Sequence, residues 1–579
     1  DILTGRINPS GKLGFTIAES LWDYPTANNF TWNKENPRDV LTYESYGLNA
    51  EENGSIGYAK SPVAFYQEDI YLGYRYFDTF QKKVLFPFGF GLSYTSFHIV
   101  PKEIIQRENE YEIVTEVTNT GNCAGKETVQ LYLSCQNTAT ERPQKELKGF
   151  EKTRLLAPGE SEEIHISVSK KELAVYVEAK ASYILEQGTY CFLVGNASSH
   201  VETAREIHVD GDVIIKKCTN CLQLQESNVD QLRFLSAKSG EKKARHYDNS
   251  KKESCSSEAV LENKIAELKA FSIRQLVALC VGYGPGIPFA AFSDTKDPET
   301  IFDEQGNPLT VNNHAVGTNG YVSPAIPEKG IHSIFYKDGP AGVGTGAWPT
   351  EMLISCSFNK ELWKEFGNAV GAACEKQGVN VWLAPAVNLH RHPLCGRNFE
   401  YFSEDPYLTG MCAVQITKGV QENHNVCVCP KHFAVNEQET YRRGSAKKNY
   451  DAADSIITER AARELYLKPF EMLVQEAGIS FIMTSFNKIN GIFAGGNKDL
   501  CTHILREEWN FEGVVVTDWG DMDIVVDGGD AVAAGNDIVM PGGPPVIKQI
   551  LLAYEEGRVT REELERSVGR LLYVLKKFS

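Results

Sequence analysis

Residues 513–522 read GVVVTDWGDM. Val514, Val515 and Val516 show no polar alternation, so the run reads as a strand buried on both faces, the pattern of a parallel sheet covered by helices. A carboxylate, Asp518, and an indole, Trp519, stand just past its end. Working outward, SIFYKDGP, VNVWLAPAVNLHRHP, NVCVCPKHF, ISFIMTSFN and NDIVMPGG repeat the same grammar. Helical patterns such as DSIITERAARELYLKPFEMLVQEAG separate them. Repeated βα units predict a (β/α)8-type, TIM-like barrel over residues 259–579, with a doubly wound open sheet as the lesser alternative.

Polar residues follow one strand after another: Asp338, then His390 and Arg391 leading to Arg397, then Lys431 and His432, then Asn487, then Asp518. In a barrel these positions meet at the C-terminal face, where active sites of this fold sit. Each has a plainer alternative. Asp after a strand is often a helix N-cap, Lys-His can form an ion pair, and Arg397 can pair with Glu400 or Glu404. Taken together, so many charged and amide groups at strand ends are costly to bury without a ligand.

Upstream the pattern changes. Residues 97–210 carry short alternating strands with turn signals, among them KETVQLYLS and GTYCFLVGNAS, and predict a β-sandwich of immunoglobulin or fibronectin type. Residues 211–258 are polar and rich in Lys, Ser and Glu, and read as a linker. Residues 1–96 open with DILTGRINPSGKL, which reads as the last turn of a helix capped by Gly5, followed by a turn into a strand. That turn lacks the body of its helix, so a preceding segment or a docking partner is expected.

A chain of 579 residues is too long for one core and reads as multidomain. With a formal charge of −17 and no basic stripe interleaved with aromatics, a nucleic-acid partner is disfavoured. No run approaches the ~20 apolar residues of a membrane helix, so no membrane partner is expected. The 14 cysteines follow no disulfide framework, and several fall in core strands, which fits a reducing compartment and leans towards the cytoplasm. The one CxxC, Cys218 to Cys221, has no second pair at zinc spacing, and neither a metal nor a cofactor is expected. Oligomeric state is not readable.

The chain shows no phosphate cradle of Walker or Rossmann type, no HExxH and no nucleophile elbow. Asp338, Arg397, Lys431 and His432 suit the vicinal hydroxyls of a sugar ring, and Trp519 suits its apolar face. Asp518 is then free to attack the anomeric carbon.

KDGPAG (337–342), GRNFEYFSEDPYLTG (396–410), KHFAVNEQETYRR (431–443), MTSFNKING (483–491) and VVVTDWG (514–520) resemble the signature blocks of glycoside hydrolase family 3. DILTGRINPSGKL resembles the end of that family's α/β sandwich domain, and LFPFGFGLSYTSF (85–97) its entry into a fibronectin type III domain. Here these precede the barrel, as in the circularly permuted β-glucosidases of the family. The resemblance implies a retaining hydrolase that releases terminal β-D-glucose from a β-glucoside or oligosaccharide. Carried over, Asp518 is the nucleophile, Trp519 lines the sugar, and Asp338, Arg397, Lys431 and His432 hold its hydroxyls. In such a reaction a second carboxyl group about 5 Å away protonates the leaving oxygen.

Two positions depart from the family pattern. Phe486 stands where many relatives have a Tyr that orients the nucleophile. The general acid/base, a Glu of the sandwich domain in the β-glucosidase branch, is expected to be missing from this chain. Glu68 is a tempting substitute but reads as a surface carboxylate at the sandwich domain's edge. The acid/base His of the other branch is absent, which argues against an N-acetylglucosaminidase. A β-xylosidase and a sugar-binding fragment without turnover remain alternatives, with a barrel lyase or isomerase a distant third.

Overall fold

A computed structural model describes residues 1–30, 40–52, 55, 57–222, 224, 234–236, 242–243, 268–282, 321–323, 331, 334–344, 346–445, 449–520 and 526–576. The valine run forms the strand expected of it: Val514–Val516 is fully buried and pairs in parallel with Phe481–Met483. Phe335–Asp338, Val381–Leu383 and Cys427–Val428 form another parallel run. Parallel bridges extend the array, joining Phe433 to Thr484, Val516 to Ile538 and Val281 to Val539. The helices Lys360–Lys376 and Pro406–Asn423 connect the strands Phe335–Asp338, Val381–Leu383 and Cys427–Val428 in turn and pack together.

The missing polar alternation has a direct cause. Val381, Leu383, Phe481, Met483, Val514 and Val516 face one apolar cluster, while Trp382, Ile482 and Val515 face another. Side chains alternate between faces, and both faces are dry. One strand breaks the parallel pattern: Tyr321–Val322 runs antiparallel to Phe335–Asp338. The span between them is at the lower limit for a helical crossover, and an antiparallel return needs none.

From Phe97 the chain forms the expected sandwich. Phe97–Gln106, Glu110–Asn119 and Ser161–Ser169 make one sheet; His200–Val209, Gly188–Ala197, Thr128–Gln136 and Glu146–Lys152 make another. Ile113, Val117, Leu131, Ile166 and Phe192 fill the space between them. The sandwich runs past the boundary read at 210, because Val213–Lys217 pairs with Ser182–Leu185. Val213 and Ile214 are exposed and only Ile215 and Lys216 are half-buried, so this short edge strand shows no in–out alternation and is absorbed into the polar stretch after it. Leu222, Leu224 and Phe234 are also buried, contrary to a linker. Residues 223, 225–233, 237–241 and 244–258 of that expectation lie outside the described residues. Burial raises the thiols of Cys218 and Cys221, and none of the described cysteines forms a disulfide.

The N-terminal segment is built into the C-terminal half. Gly5, at φ +71°, closes the turn read from DILTG. Val63–Phe65 pairs in parallel with Asp454–Ile456, in one sheet with Lys488–Ile489 and Ile492–Phe493. Thr16 donates its N–H and hydroxyl to Glu404, and Tyr74 donates its N–H to the same carboxylate. Gly73, at φ +56°, is required here, since a Cβ would lie 2.2 Å from the Glu404 carboxyl carbon.

Glu68 is not a surface carboxylate. It is buried against Arg391, with Nε–Oε1 at 2.6 Å and Nη2–Oε2 at 3.1 Å, and Asn29 Nδ2 donates to Oε2 at 3.1 Å. Its partner lies 323 residues away in the chain, beyond the reach of local pattern. No helix among the described residues is long and apolar enough to cross a membrane.

Candidate active site

Asp518 is carried to the end of its strand by a continuous ladder. Thr517 N–H donates to Ile538 O at 3.0 Å, and Gly520 N–H to Met540 O at 3.0 Å. Gly520, at φ +79°, turns the chain immediately afterwards. The Trp519 N–H donates to Asp518 Oδ1 at 2.7 Å, while Oδ2 is buried with no hydrogen-bond partner among the described residues. The indole of Trp519 meets the Tyr336 ring edge-on at 6.3 Å.

Lys431 lies between neighbouring strand ends, donating its N–H to Pro385 O and accepting from Val387 N–H. Its buried ammonium donates to Asp338, whose side chain is 68% exposed. Lys431, followed by Arg397, holds the Asp338 carboxyl below its usual value. His432 Nε2 stands 3.8 Å from Asp518 Oδ2. Burial, then the charges of Arg397, Lys431 and Arg442, hold this imidazole well below its ordinary pKa, so it is neutral and the contact is not an ion pair.

Arg397 begins the short turn Asn398–Glu400; its Nε donates to Glu400 and lies 3.8 Å from Glu439 Oε2. Arg442 pairs with Glu439 at 2.9 Å. Phe486 is covered by Arg442 at 4.9 Å and Arg443 at 5.5 Å, measured from Cζ to the ring centroid. Burial raises the Asp518 carboxyl above its usual value; Arg442 opposes this most, followed by Arg397 and the Trp519 N–H.

The structure thus gathers Asp338, Arg397, Lys431, His432, Asp518 and Trp519, with Phe486 alongside beneath the arginines. Three other strand-end residues serve the scaffold. His390 Nε2 bonds the carbonyls of Asn398 and Tyr401, Arg391 holds Glu68, and Asn487 Nδ2 donates to the carbonyls of Ala434 and Val435. Glu400 is one of the two partners for Arg397 read from the sequence, whereas sequence reasoning missed Glu439 and Arg442 as members of the charge cluster. The latter two lie in the same KHFAVNEQETYRR block as Lys431 and His432, and that proximity was the available signal.

Residues 328–574 match the glycosyl hydrolase family 3 N terminal domain, and residues 127–198 match a fibronectin type III-like domain. β-Glucosidase A of Butyrivibrio fibrisolvens is 33% identical across 98% of this chain and 68% of its own length. A β-glucosidase of Ruminococcus albus is 34% identical across 99% of this chain and 58% of its own. The crystal structure of a β-glucosidase from Paenibacillus barengoltzii matches with a TM-score of 0.78 at 29% identity, covering 100% of this chain and 62% of that one. The chain therefore falls well short of these relatives' full lengths. Fold and matches together define a multidomain glycoside hydrolase class, with a TIM-type barrel and a fibronectin-like sandwich. The chain belongs to glycosyl hydrolase family 3.

Proposed function

We propose that this chain carries the glycone site and nucleophile of a retaining β-glucosidase. Asp518 Oδ2 attacks the anomeric carbon as the bond to the leaving oxygen breaks, and water then cleaves the glycosyl-aspartate ester. Lys431, Arg397, Asp338 and His432 hold the sugar hydroxyls, and Trp519 lies against its apolar face. The observation that carries this reading is a set of buried polar atoms around one carboxylate. Asp518 Oδ2, Arg397 Nη1, Arg442 Nη1 and Arg443 Nε lack hydrogen-bond partners among the described residues. Each such atom costs about 1–3 kcal/mol unless something pairs with it, and a polyhydroxylated ring offers both donors and acceptors.

Glu68 is not the proton donor in this reading, because Arg391 and Asn29 engage both its oxygens. The general acid/base is assigned to no residue of this sequence. Dinitrophenyl 2-deoxy-2-fluoro-β-glucoside tests the proposal, since its leaving group needs no acid and its fluorine slows ester hydrolysis. A single adduct on the peptide containing Asp518 is expected by mass spectrometry. A folded sample that gains no adduct, or gains it elsewhere, overturns the assignment.

A further inference from the structure

The backbone N–H of His432 donates to Asn388 Oδ1 at 2.9 Å, so that oxygen is an acceptor and the amide has one orientation. The other end of the amide agrees. Asn388 Nδ2 donates to the His432 carbonyl at 3.2 Å and to Glu437 Oε1 at 3.1 Å. Turning the amide over would set its oxygen against a carbonyl and a carboxylate. The correctly placed Oδ1 also lies 3.3 Å from His432 Nδ1. Two lone pairs facing each other at that separation repel, so Nδ1 carries the proton.

We propose that Asn388 is a positioning residue that fixes His432 as its Nδ1–H tautomer, presenting Nε2 to Asp518 and the sugar as a hydrogen-bond acceptor. This deepens, and rests on, the reading of the pocket as a glucoside site. Nε2 and Asp518 Oδ2, 3.8 Å apart, are then two acceptors with no hydrogen between them. A sugar hydroxyl can donate to Nε2 while accepting from a neighbouring cation. The groups facing the ring are Asp518, the cations Arg397, Lys431 and Arg442, and Glu437 through Asn388. Tyr66 donates to Glu437 Oε2 at 3.1 Å, so the relay begins in the N-terminal segment.

The test is long-range 1H–15N NMR of the full chain labelled with 15N-histidine, with His432 assigned by its loss in His432→Gln. A protonated Nδ1 and an unprotonated Nε2 are expected at neutral pH. Asn388→Asp keeps the acceptor towards Nδ1 but replaces the donor to Glu437 with a second oxygen, so the two carboxyl groups share a proton between them. The Nδ1–H tautomer should persist in this variant. In Asn388→Ala the tautomer preference should disappear and KM should rise more than kcat falls. A wild-type ring protonated at Nε2, a tautomer unmoved in Asn388→Ala, or one lost in Asn388→Asp overturns the proposal. The NMR signals are read without turnover. A chain with the expected tautomer that cleaves no glucoside would therefore sink the glucoside reading and leave the tautomer assignment standing.

Discussion

Replacing Glu68 with glutamine separates structural from catalytic use of a buried carboxylate. Both side chains of the Glu68–Arg391 pair are 0% exposed, and Glu68 receives donors from Arg391 Nε at 2.6 Å, Arg391 Nη2 at 3.1 Å and Asn29 Nδ2 at 3.1 Å. The Glu68→Gln side chain would keep one acceptor, turn an NH2 towards a guanidinium, and leave the cation uncompensated. Breaking a buried pair from one side costs about 3–5 kcal/mol. Arg391 retains some support, because its Cζ lies 3.8 Å from the Tyr66 ring centroid and its Nη2 donates to Asn29 Oδ1 and Phe65 O. A desolvated cation–π contact is worth up to ~2 kcal/mol. The expected loss is therefore at the lower end, about 3 kcal/mol.

Urea unfolding followed by intrinsic fluorescence measures this loss. A Glu68→Leu/Arg391→Met double variant should recover most of it, since no unpaired charge remains. In parallel, dinitrophenyl and methyl β-glucosides are assayed under conditions where every variant is folded. A missing general acid slows the poor leaving group far more than the good one. Glu68→Gln should leave their rate ratio unchanged. Wild-type stability combined with selective loss of methyl glucoside cleavage would make Glu68 the proton donor and refute the structural assignment.

Two further substitutions probe Asp518 in its proposed role as nucleophile. Phe486→Tyr offers a hydroxyl to Asp518 Oδ2, which lacks a partner among the described residues. One hydrogen bond of ~1 kcal/mol should raise the glycosylation rate up to about fivefold, and an unchanged rate and pH profile would count against it. In Arg442→Gln the foremost opponent of Asp518's raised pKa is lost. Since an ionised Asp518 is needed for attack, the acidic limb of kcat/KM should move to higher pH, and loss of the Arg442 Nη1 donor should also lower kcat/KM above that limb. A stationary limb would show that Arg442 does not hold the Asp518 charge.

The barrel strands and the motif residues were legible because both are local signals. A valine run doubly buried in the fold is doubly apolar in sequence, and the residue after it inherits its position from the strand. What a strand-end polar side chain does was not local. His390, Arg391 and Asn487 carry the same signature as Lys431 and Asp518, yet the first three bond scaffold groups. The choice depends on whether a distant partner arrives, as Glu68 does for Arg391. The strand Val213–Lys217 was hidden for the opposite reason. Its apolar residues Val213 and Ile214 are exposed, so its five residues carry no alternation marking a buried face, and the polar stretch that follows masks it.

The same distinction bears on how a fibronectin-like region can precede the barrel it serves. Closing a different loop changes the free energy only as the logarithm of loop length, roughly 0.6 kcal/mol per doubling. Severing one buried pair costs several times more. Selection on stability therefore holds contacts between segments more tightly than it holds their order in the chain. Residues of the N-terminal segment show which contacts those are. Val63–Phe65 extends the sheet containing Asp454–Ile456, Glu68 neutralises Arg391, and Tyr66 reaches Glu437. Glu437 in turn accepts from Asn388, whose amide holds His432. None of these N-terminal side chains needs to touch a sugar to matter to the site. By pairing with Arg391 and Glu437 beneath the site, they hold the frame on which Asp518 Oδ2, Arg397 Nη1 and Arg442 Nη1 stand without partners among the described residues, where a substrate can use them.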